Sequence, residues 1–288
     1  MKSGPTRRES FDIAGCKISA VVAGNPNHPA VLLLHGFPSS SRTFRNIVPR
    51  LSQACFVIAP DLPGFGQSDL IADPSFVRFT DLIEGLLAKL GVLSAYLYLH
   101  DFGAPVGLDL AMRDPSRVLG LIVQNANAHR TGFGPAWQDT IDYWHAPSKE
   151  NERAATAHLT FEGLRNEYVG GVPDDIASRI SADNWIEDWR TMSQPGHLDL
   201  QRALVKDYGR YVARFEDIGR YLHEHQPPAL MLWGRHDSYF DCAEILSWLQ
   251  DLPRMEAHVL DGPHMLLETH AASCAELIVD FVHRGRRS

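Results

Sequence analysis

The chain has 288 residues, and 27 Lys+Arg against 35 Asp+Glu give a net charge of −8. With 44 % hydrophobic and 22 % charged residues the composition is that of an ordinary globular protein, not of a disordered or fibrous one. The acidic balance, without a basic run, argues against nucleic acid or an anionic membrane as the main partner.

The hydropathy, the start of the chain and the cysteines indicate where in the cell the protein works. No apolar run approaches the ~18 residues that a membrane span needs, and the polar start MKSGPTRRES does not read as a secretory signal. The four cysteines are widely scattered, without metal-type spacing, as in proteins of a reducing compartment. We therefore expect a cytoplasmic protein.

Short apolar runs alternate with segments of helical spacing in the first part of the chain. The runs are Ala30–Leu34, Cys55–Ala59, Ala95–Leu99 and Leu119–Val123. Helical spacing is found between them, in Phe76–Leu90 and Ala104–Arg113. This alternation predicts an α/β fold: a mostly parallel, doubly wound sheet with helices on both faces. Before it, Phe11–Ala14 and Lys17–Val22 alternate apolar and polar residues, which predicts an antiparallel hairpin at one edge.

The strand pattern stops near Arg130 and returns at Ala229–Trp233 and Ala257–Leu260, before an amphipathic helix over Ala271–Val282. The intervening stretch is helix-compatible and rich in Trp and Tyr. The stretch could be a helical domain attached at the end of the sheet domain. The strands that follow it favour instead an insertion into the sheet domain. We predict a core of residues 1–130 and 225–288, with a helical cap over 131–224.

Chemistry in such a sheet sits where loops leave the carboxyl ends of the strands. Asp101 directly follows one strand and precedes a helix, which is the layout of a nucleophile elbow with Asp in place of Ser. Asp101 could instead simply cap that helix. The backbone N–H groups of Phe37, which follows the strand Ala30–Leu34, and of Phe102 would form an oxyanion hole.

Two later strand ends carry an acid and a base. Asp237 follows Ala229–Trp233, and His264 follows Ala257–Leu260. The chain order Asp101, Asp237, His264 is the nucleophile–acid–base order of hydrolases with this layout. Asp237 would orient His264 through its second ring nitrogen, leaving His264 as the base.

With these residues in place, the sequence resembles the α/β-hydrolase family, and within it the Asp-nucleophile branch of epoxide hydrolases and haloalkane dehalogenases. The motifs that carry the resemblance are HGFP (35–38), DLPGFGQSD (61–69), HDFG (100–103), GRHD (234–237) and GPH (262–264). One departure is Leu99, which stands where the elbow usually has a small residue. The resemblance implies the α/β-hydrolase fold with an inserted cap.

An aspartate nucleophile forms an ester with an electrophilic sp³ carbon, and water activated by His264 then hydrolyses that ester. An ester substrate would give an anhydride, which argues against an esterase. The dehalogenases of this branch bind halide with a Trp after the nucleophile and with an Asn or Trp elsewhere. Phe102 and Phe37 lack such donors, and HGFP is the form typical of epoxide hydrolases.

Epoxide opening needs a proton donor, and the resemblance implies two cap tyrosines. The segment 206–211 resembles the late cap motif, so Tyr208 is the first candidate, with either Tyr143 or Tyr168 as its partner. We assign Trp137 and Trp144 of the cap, with Pro38 of the core, to the substrate pocket.

The sequence therefore predicts an epoxide hydrolase that acts on a small-molecule epoxide and water. The alternatives are a haloalkane dehalogenase with the same Asp101 nucleophile and a non-catalytic binder on this fold. No dinucleotide, P-loop or HExxH motif indicates a cofactor or a metal. A homo-oligomer is compatible with the sequence, which does not identify the epoxide.

Overall fold

A computed structural model describes residues 6–285 of the protein. Its eight strands are β1 Arg7–Ile13, β2 Cys16–Ala23, β3 Ala30–Leu34, β4 Phe56–Pro60, β5 Ala95–His100, β6 Val118–Gln124, β7 Ala229–His236 and β8 Glu256–Pro263. They form one sheet in the order β1-β2-β4-β3-β5-β6-β7-β8. β2 runs antiparallel to β1 and β4, and every other pair is parallel.

The burial of the strands follows their place in the sheet. β3, β4 and β5 are buried along their whole length, because helices cover both faces of a parallel sheet. The predicted hairpin is confirmed: β1 and β2 pair at the sheet edge through a turn at Ala14 and Gly15, both with positive φ. β8, at the other edge, alternates between exposed and partly exposed residues over most of its length.

Twelve α-helices complete the described part of the chain. They are α1 Val48–Leu51, α2 Phe76–Lys89, α3 Gly103–Arg113, α4 Gln138–His145, α5 Lys149–Ala155, α6 Phe161–Val169, α7 Asp174–Ala177, α8 Asp183–Met192, α9 His197–Val212, α10 Phe215–His225, α11 Ala243–Asp251 and α12 Leu267–Gly285. α12 contains a non-helical residue, His270, so its regular part begins at Ala271, where the sequence predicts the helix to start.

Two hydrophobic clusters lie on opposite faces of the sheet. Leu97 and Leu99 of β5 belong to the cluster that contains α2 and α3, whereas Tyr96 and Tyr98 belong to the cluster that contains α12. Alternation along the strand places neighbouring side chains on opposite faces. The fold class is confirmed as the α/β-hydrolase fold.

Helices α4 to α10, here called the cap, lie between β6 and β7 in the chain. The cap shares the hydrophobic cluster of α2 and α3, to which it contributes residues such as Leu164, Leu204 and Leu222. α9 contacts α2, so the cap is packed onto the sheet domain. Within residues 6–285, no helix combines the length and apolar character that crossing a bilayer requires.

Candidate active site

Asp101 lies on a sharp turn between β5 and α3. Its φ of +50° is in the left-handed region, which a non-glycine residue occupies at a cost. The Asp101 N–H donates to the carbonyl of Asn125 at 3.3 Å, and the Asp101 carbonyl accepts from the N–H of Ala104 at 2.9 Å. The strained turn therefore holds the carboxyl group at the end of the sheet.

The same turn requires space that two glycines provide. A Cβ on Gly36 would lie 2.2 Å from the Cβ of Asp101, so glycine lets the loop after β3 approach the carboxylate. A Cβ on Gly107 would lie 2.1 Å from a terminal carbon of Leu99. Gly107 thus makes room for the leucine that departs from the family pattern.

Two backbone N–H groups are directed at the Asp101 carboxylate. The N–H of Phe37 donates to Oδ1 at 2.6 Å, and the N–H of Phe102 also donates to the carboxylate. Burial raises the pKa of Asp101, while His264 and these two donors act in the opposite direction. The donors are in place to stabilise negative charge that develops on this carboxyl group.

Asp237 holds His264 in one orientation. The Asp237 Oδ2 accepts from His264 Nδ1 at 2.7 Å and from the side-chain amide of Asn125 at 2.8 Å. Its Oδ1 accepts from the backbone N–H groups of Tyr239 at 2.7 Å and Phe240 at 3.0 Å. Because Nδ1 donates to the carboxylate, neutral His264 has Nε2 free to accept a proton.

The charge of His264 depends on the carboxylates around it. Burial lowers the pKa of His264, but Asp237, Asp101 and Glu167 outweigh this effect and raise it to about 9. Esterification of Asp101 would remove one of these negative charges, and the pKa of His264 would fall. The geometry therefore favours a neutral base after an ester has formed.

Aromatic rings fix the His264 ring from two sides. Phe240 stacks on it with ring centroids 5.3 Å apart and an interplanar angle of 19°. The His100 ring lies 4.7 Å away, and burial holds the pKa of His100 well below its usual value, so this neighbour is neutral.

A cavity of about 60 Å³, here called the Asp101 cavity, lies between the sheet and the cap. Its lining residues are Phe37, Asp101, Phe102, Ala136, Trp137, Thr140, His158, Leu159, Glu167, Gln201, Val205, Tyr208 and Tyr239. It is far smaller than the ~300–1,000 Å³ of sites for drug-sized ligands. The cavity therefore suits a small substrate in this conformation of the cap.

α9 contributes Gln201, Val205 and Tyr208 to this cavity. Their spacing of four and three residues places them on one helix face. The Tyr208 hydroxyl is buried without a hydrogen-bond partner in residues 6–285, and so are both polar side-chain atoms of Gln201. Burial raises the pKa of Tyr208 well above its usual value, so its hydroxyl is protonated.

Glu167 of α6 is a cavity residue that the sequence reasoning missed. The buried carboxyl group hydrogen-bonds with the Tyr239 hydroxyl. Burial, with Asp101 and Asp237, raises the pKa of Glu167 to about 8, although His264 and the Tyr239 hydrogen bond oppose the rise. Burial therefore favours the protonated, neutral form of the Glu167 carboxyl group.

Gln201, Tyr239 and His158 were also missed. The signal for Gln201 was its helical spacing from Tyr208, and the signal for Tyr239 was its place two residues after Asp237. His158 packs edge-on against Phe37 at 5.6 Å, and burial lowers its pKa to about 4. We find no comparable signal for His158 or Glu167.

Four residues predicted for the site lie elsewhere. The Tyr168 hydroxyl donates to Asp188, and Tyr143 packs in a separate cap cluster with Ala155 and Val205. Neither tyrosine lines the Asp101 cavity.

Trp144 and Pro38 are the other two residues predicted for the site that do not line the Asp101 cavity. Trp144 stacks on the Tyr208 ring at 5.9 Å and 14°, behind the cavity wall. Pro38 lines a different cavity, together with Arg42 and Asp188. By contrast, the structure brings Trp137 and Tyr208 to the same cavity as Asp101.

The arrangement can form and hydrolyse a carboxylate ester of a small electrophile. Asp101 supplies a carboxylate in a cavity, two N–H groups face it, and an imidazole with an ordered acid lies beside it. In the described range, no group of three or more His, Cys, Asp or Glu side chains is placed to hold a metal ion.

Comparisons with known proteins agree with this geometry. Residues 29–271 match the family model described as alpha/beta hydrolase fold, and the chain belongs to that family. It is 32 % identical to the uncharacterized hydrolase YNR064C of Saccharomyces cerevisiae, over 92 % of this chain and 93 % of that protein. It is thus a hydrolase of the α/β fold.

Haloalkane dehalogenases are among its relatives. The enzyme of Bradyrhizobium diazoefficiens is 35 % identical over 55 % of this chain and 49 % of its own length. The structure of haloalkane dehalogenase DbeA from Bradyrhizobium elkani superposes with a TM-score of 0.79 at 21 % identity, covering 98 % of this chain and 99 % of that one. At that identity the structural likeness is one of fold.

Proposed function

We propose that this hydrolase opens a small epoxide to a vicinal diol. The observation that carries the proposal is the Tyr208 hydroxyl, which is buried in the Asp101 cavity without a partner in residues 6–285. An epoxide oxygen leaves as an alkoxide and needs a proton, and a protonated phenol is a donor for it. A halide needs no proton.

In the first half-reaction an oxygen of Asp101 attacks an epoxide carbon. The bond from that carbon to the epoxide oxygen breaks, and its electron pair stays on the oxygen, which takes a proton from Tyr208. The product is a 2-hydroxyalkyl ester of Asp101.

In the second half-reaction His264 removes a proton from water, and the hydroxide attacks the acyl carbon of the ester. The N–H groups of Phe37 and Phe102 stabilise the resulting oxyanion. The bond from the acyl carbon to the alkyl oxygen then breaks, and that oxygen takes the proton of the newly added hydroxyl group, so the diol leaves as the carboxylate re-forms. The proton taken by His264 equals the one that Tyr208 gave up, so transfer between them restores both residues.

The two tryptophans of the cap that could donate to a halide already donate their indole N–H groups to backbone carbonyls. Trp137 and Trp144 donate their indole N–H groups to the carbonyls of Tyr239 and Val205, each at 2.9 Å. Phe37 and Phe102 occupy the two core positions where the dehalogenases of this branch carry donors.

Haloalkane dehalogenation is nevertheless the second candidate function. The side-chain amide of Gln201 has no partner within residues 6–285 and could donate to a halide in the Asp101 cavity. The dehalogenases related to this chain are a second support.

The deciding experiment traps the ester. In His264→Ala the first half-reaction remains and the second is lost, so the intermediate accumulates. We expect intact mass spectrometry after incubation with an epoxide panel to show a gain equal to the whole epoxide, and peptide mapping to place it on Asp101. The matched control is Asp101→Asn/His264→Ala, which we expect to stay unmodified.

The same experiment on His264→Ala with a panel of haloalkanes distinguishes epoxide hydrolysis from dehalogenation. A gain equal to the alkyl group without its halogen, and none with epoxides, would transfer the assignment to dehalogenation. Absence of an adduct with both panels would contradict both reactions and favour a binding protein.

A further inference from the structure

The Asp101 cavity contains more hydrogen-bonding capacity than ring opening uses. Under the proposed function Tyr208 serves the epoxide oxygen, and Phe37 and Phe102 serve the ester. Gln201 is left over: it is fully buried, and neither its side-chain oxygen nor its nitrogen has a partner within residues 6–285. A buried amide of this kind is unfavourable unless a ligand completes its hydrogen bonds.

Glu167 is the second unused group. It lines the same cavity, its one hydrogen bond given by the structure is with Tyr239, and no ion pair with Lys or Arg is found for it in the described chain. Protonated, it offers one O–H donor toward the cavity. The charged or titratable groups that act on it are Asp101, Asp237 and His264.

The cavity discriminates by charge. Its lining, taken from the described residues, includes no Lys or Arg, whereas Asp101 and Glu167 both carry carboxyl groups. A carboxylate on the substrate would meet the negative charge of Asp101, with no Lys or Arg among the described lining residues to pair with it. The substituent recognised here is therefore polar but uncharged.

Helix geometry separates this substituent from the reacting ring. Gln201 and Tyr208 are seven residues apart on one face of α9, and both side chains line the same small cavity. A substrate held by both presents its epoxide oxygen to Tyr208 and a second polar group to Gln201. A hydroxyl fits, because it accepts from the acid of Glu167 and donates to the amide oxygen of Gln201.

We propose that Gln201 and Glu167 bind a hydroxyl substituent of the substrate and make the site selective for small, neutral epoxy alcohols. This inference rests on the proposed function. An alkyl group in the same position would leave the Gln201 amide unpaired and the Glu167 O–H without an acceptor in the substrate, and a site built to bond a hydroxyl rejects an analogue that lacks it.

The test compares glycidol with 1,2-epoxybutane, which have the same number of heavy atoms and differ by a hydroxyl in place of a methyl group. For the wild-type protein we expect kcat/KM to be at least about tenfold higher for glycidol. Gln201→Met keeps the length of the side chain and removes its polar atoms. It should lower the ratio of kcat/KM for glycidol to kcat/KM for 1,2-epoxybutane by about tenfold.

Two further variants separate binding from folding. Glu167→Met should have the same selective effect, and Glu167→Gln should recover part of the glycidol activity, because the amide restores a donor. Gln194→Met makes the chemical change of Gln201→Met at an exposed position, and we expect it to leave the glycidol preference unchanged.

The outcomes distinguish the two proposals. Equal kcat/KM for the two epoxides in the wild type, or an equal loss for both in Gln201→Met and Glu167→Met, would overturn the hydroxyl-binding inference alone. Failure of both epoxides to turn over or to modify His264→Ala would overturn this inference together with the proposed function.

Discussion

The sheet domain and the cap differ in how their polar groups at the active site are hydrogen-bonded. Asp237 accepts four hydrogen bonds, and the Asp101 carboxylate accepts from two backbone N–H groups. On α9 of the cap, Gln201 and Tyr208 have buried polar atoms without partners in residues 6–285. The groups at the strand ends are thus fixed before a ligand binds, whereas these cap atoms have no partner within the described residues.

This difference separates two kinds of contribution. Groups fixed on strand ends act on charge that develops during the reaction and need little reorganisation. Unpartnered groups on the cap distinguish ligands, because a wrong ligand leaves them unpaired. Each prediction below tests one side of this contrast.

The largest expected effect is at Tyr208. Tyr208→Phe removes the proton donor but keeps the ring packed against Trp137 and Phe102. We expect the rate of ester formation from an epoxide to fall by about 10²-fold, since general acid catalysis is typically worth 10²–10⁴-fold. Single-turnover rapid-quench measurement gives this rate directly.

A second variant serves as the control for Tyr208. Tyr211→Phe lies one turn away, and the Tyr211 hydroxyl donates to the carbonyl of Asn127 rather than facing the cavity. Ester formation in Tyr211→Phe should stay within about threefold of wild type. Equal losses in both variants would contradict the assignment of Tyr208 as the donor.

The next effect is a pH dependence set by the core. Ester hydrolysis needs neutral His264, so below the pKa of His264 its rate should rise about tenfold per pH unit and then level off. The pKa of about 9 in the free protein includes a raising effect of Asp101. Because the ester removes that charge, the plateau should begin below pH 9.

The measurement follows breakdown of the pre-formed ester against pH, with NMR titration of His264 in the free protein for comparison. Asp237→Asn removes a charge and a hydrogen bond that raise the pKa, and should lower it in both states. A plateau at or above the free-protein value would contradict the coupling between Asp101 and His264.

The smallest expected effect on rate is at Tyr168. Its hydroxyl is already bonded to Asp188, whose pKa burial raises to about 7. Tyr168→Phe leaves that carboxyl without this hydrogen bond, which should cost about 1–3 kcal/mol in free energy of unfolding. Denaturant unfolding measures the cost.

Turnover supplies the contrast with Tyr208. We expect kcat/KM of Tyr168→Phe to stay within about threefold of wild type, because Tyr168 does not line the Asp101 cavity. A loss comparable with that of Tyr208→Phe would show that a partnered cap tyrosine also takes part in the reaction.

The fold and the placement of the reacting groups could be predicted from the sequence because they follow from local rules. Apolar runs specify the strands, and parallel strands bring their carboxyl ends to one edge of the sheet. Asp101, Asp237 and His264 each come directly after a strand of the structure, so their meeting in space follows from the topology.

The cap could not be predicted in this way. The resemblance of segment 206–211 to the late cap motif favoured Tyr208, which lines the Asp101 cavity, but the tyrosines expected as its partner, Tyr143 and Tyr168, do not line it. Which face of each helix turns inward depends on packing among α4, α6, α8 and α9 and against α2.

The sequence alone predicted the α/β-hydrolase fold, with Asp101 as candidate nucleophile and a candidate acid and base at later strand ends. Packing of the cap brought Gln201 and Glu167 to the same cavity as Tyr208, where we propose that all three meet the substrate. The physical reason is how far apart in the chain the residues are that determine each placement. Strand order carries a residue after a strand to a known edge, whereas a helix in the cap is oriented by contacts with residues far away in the chain.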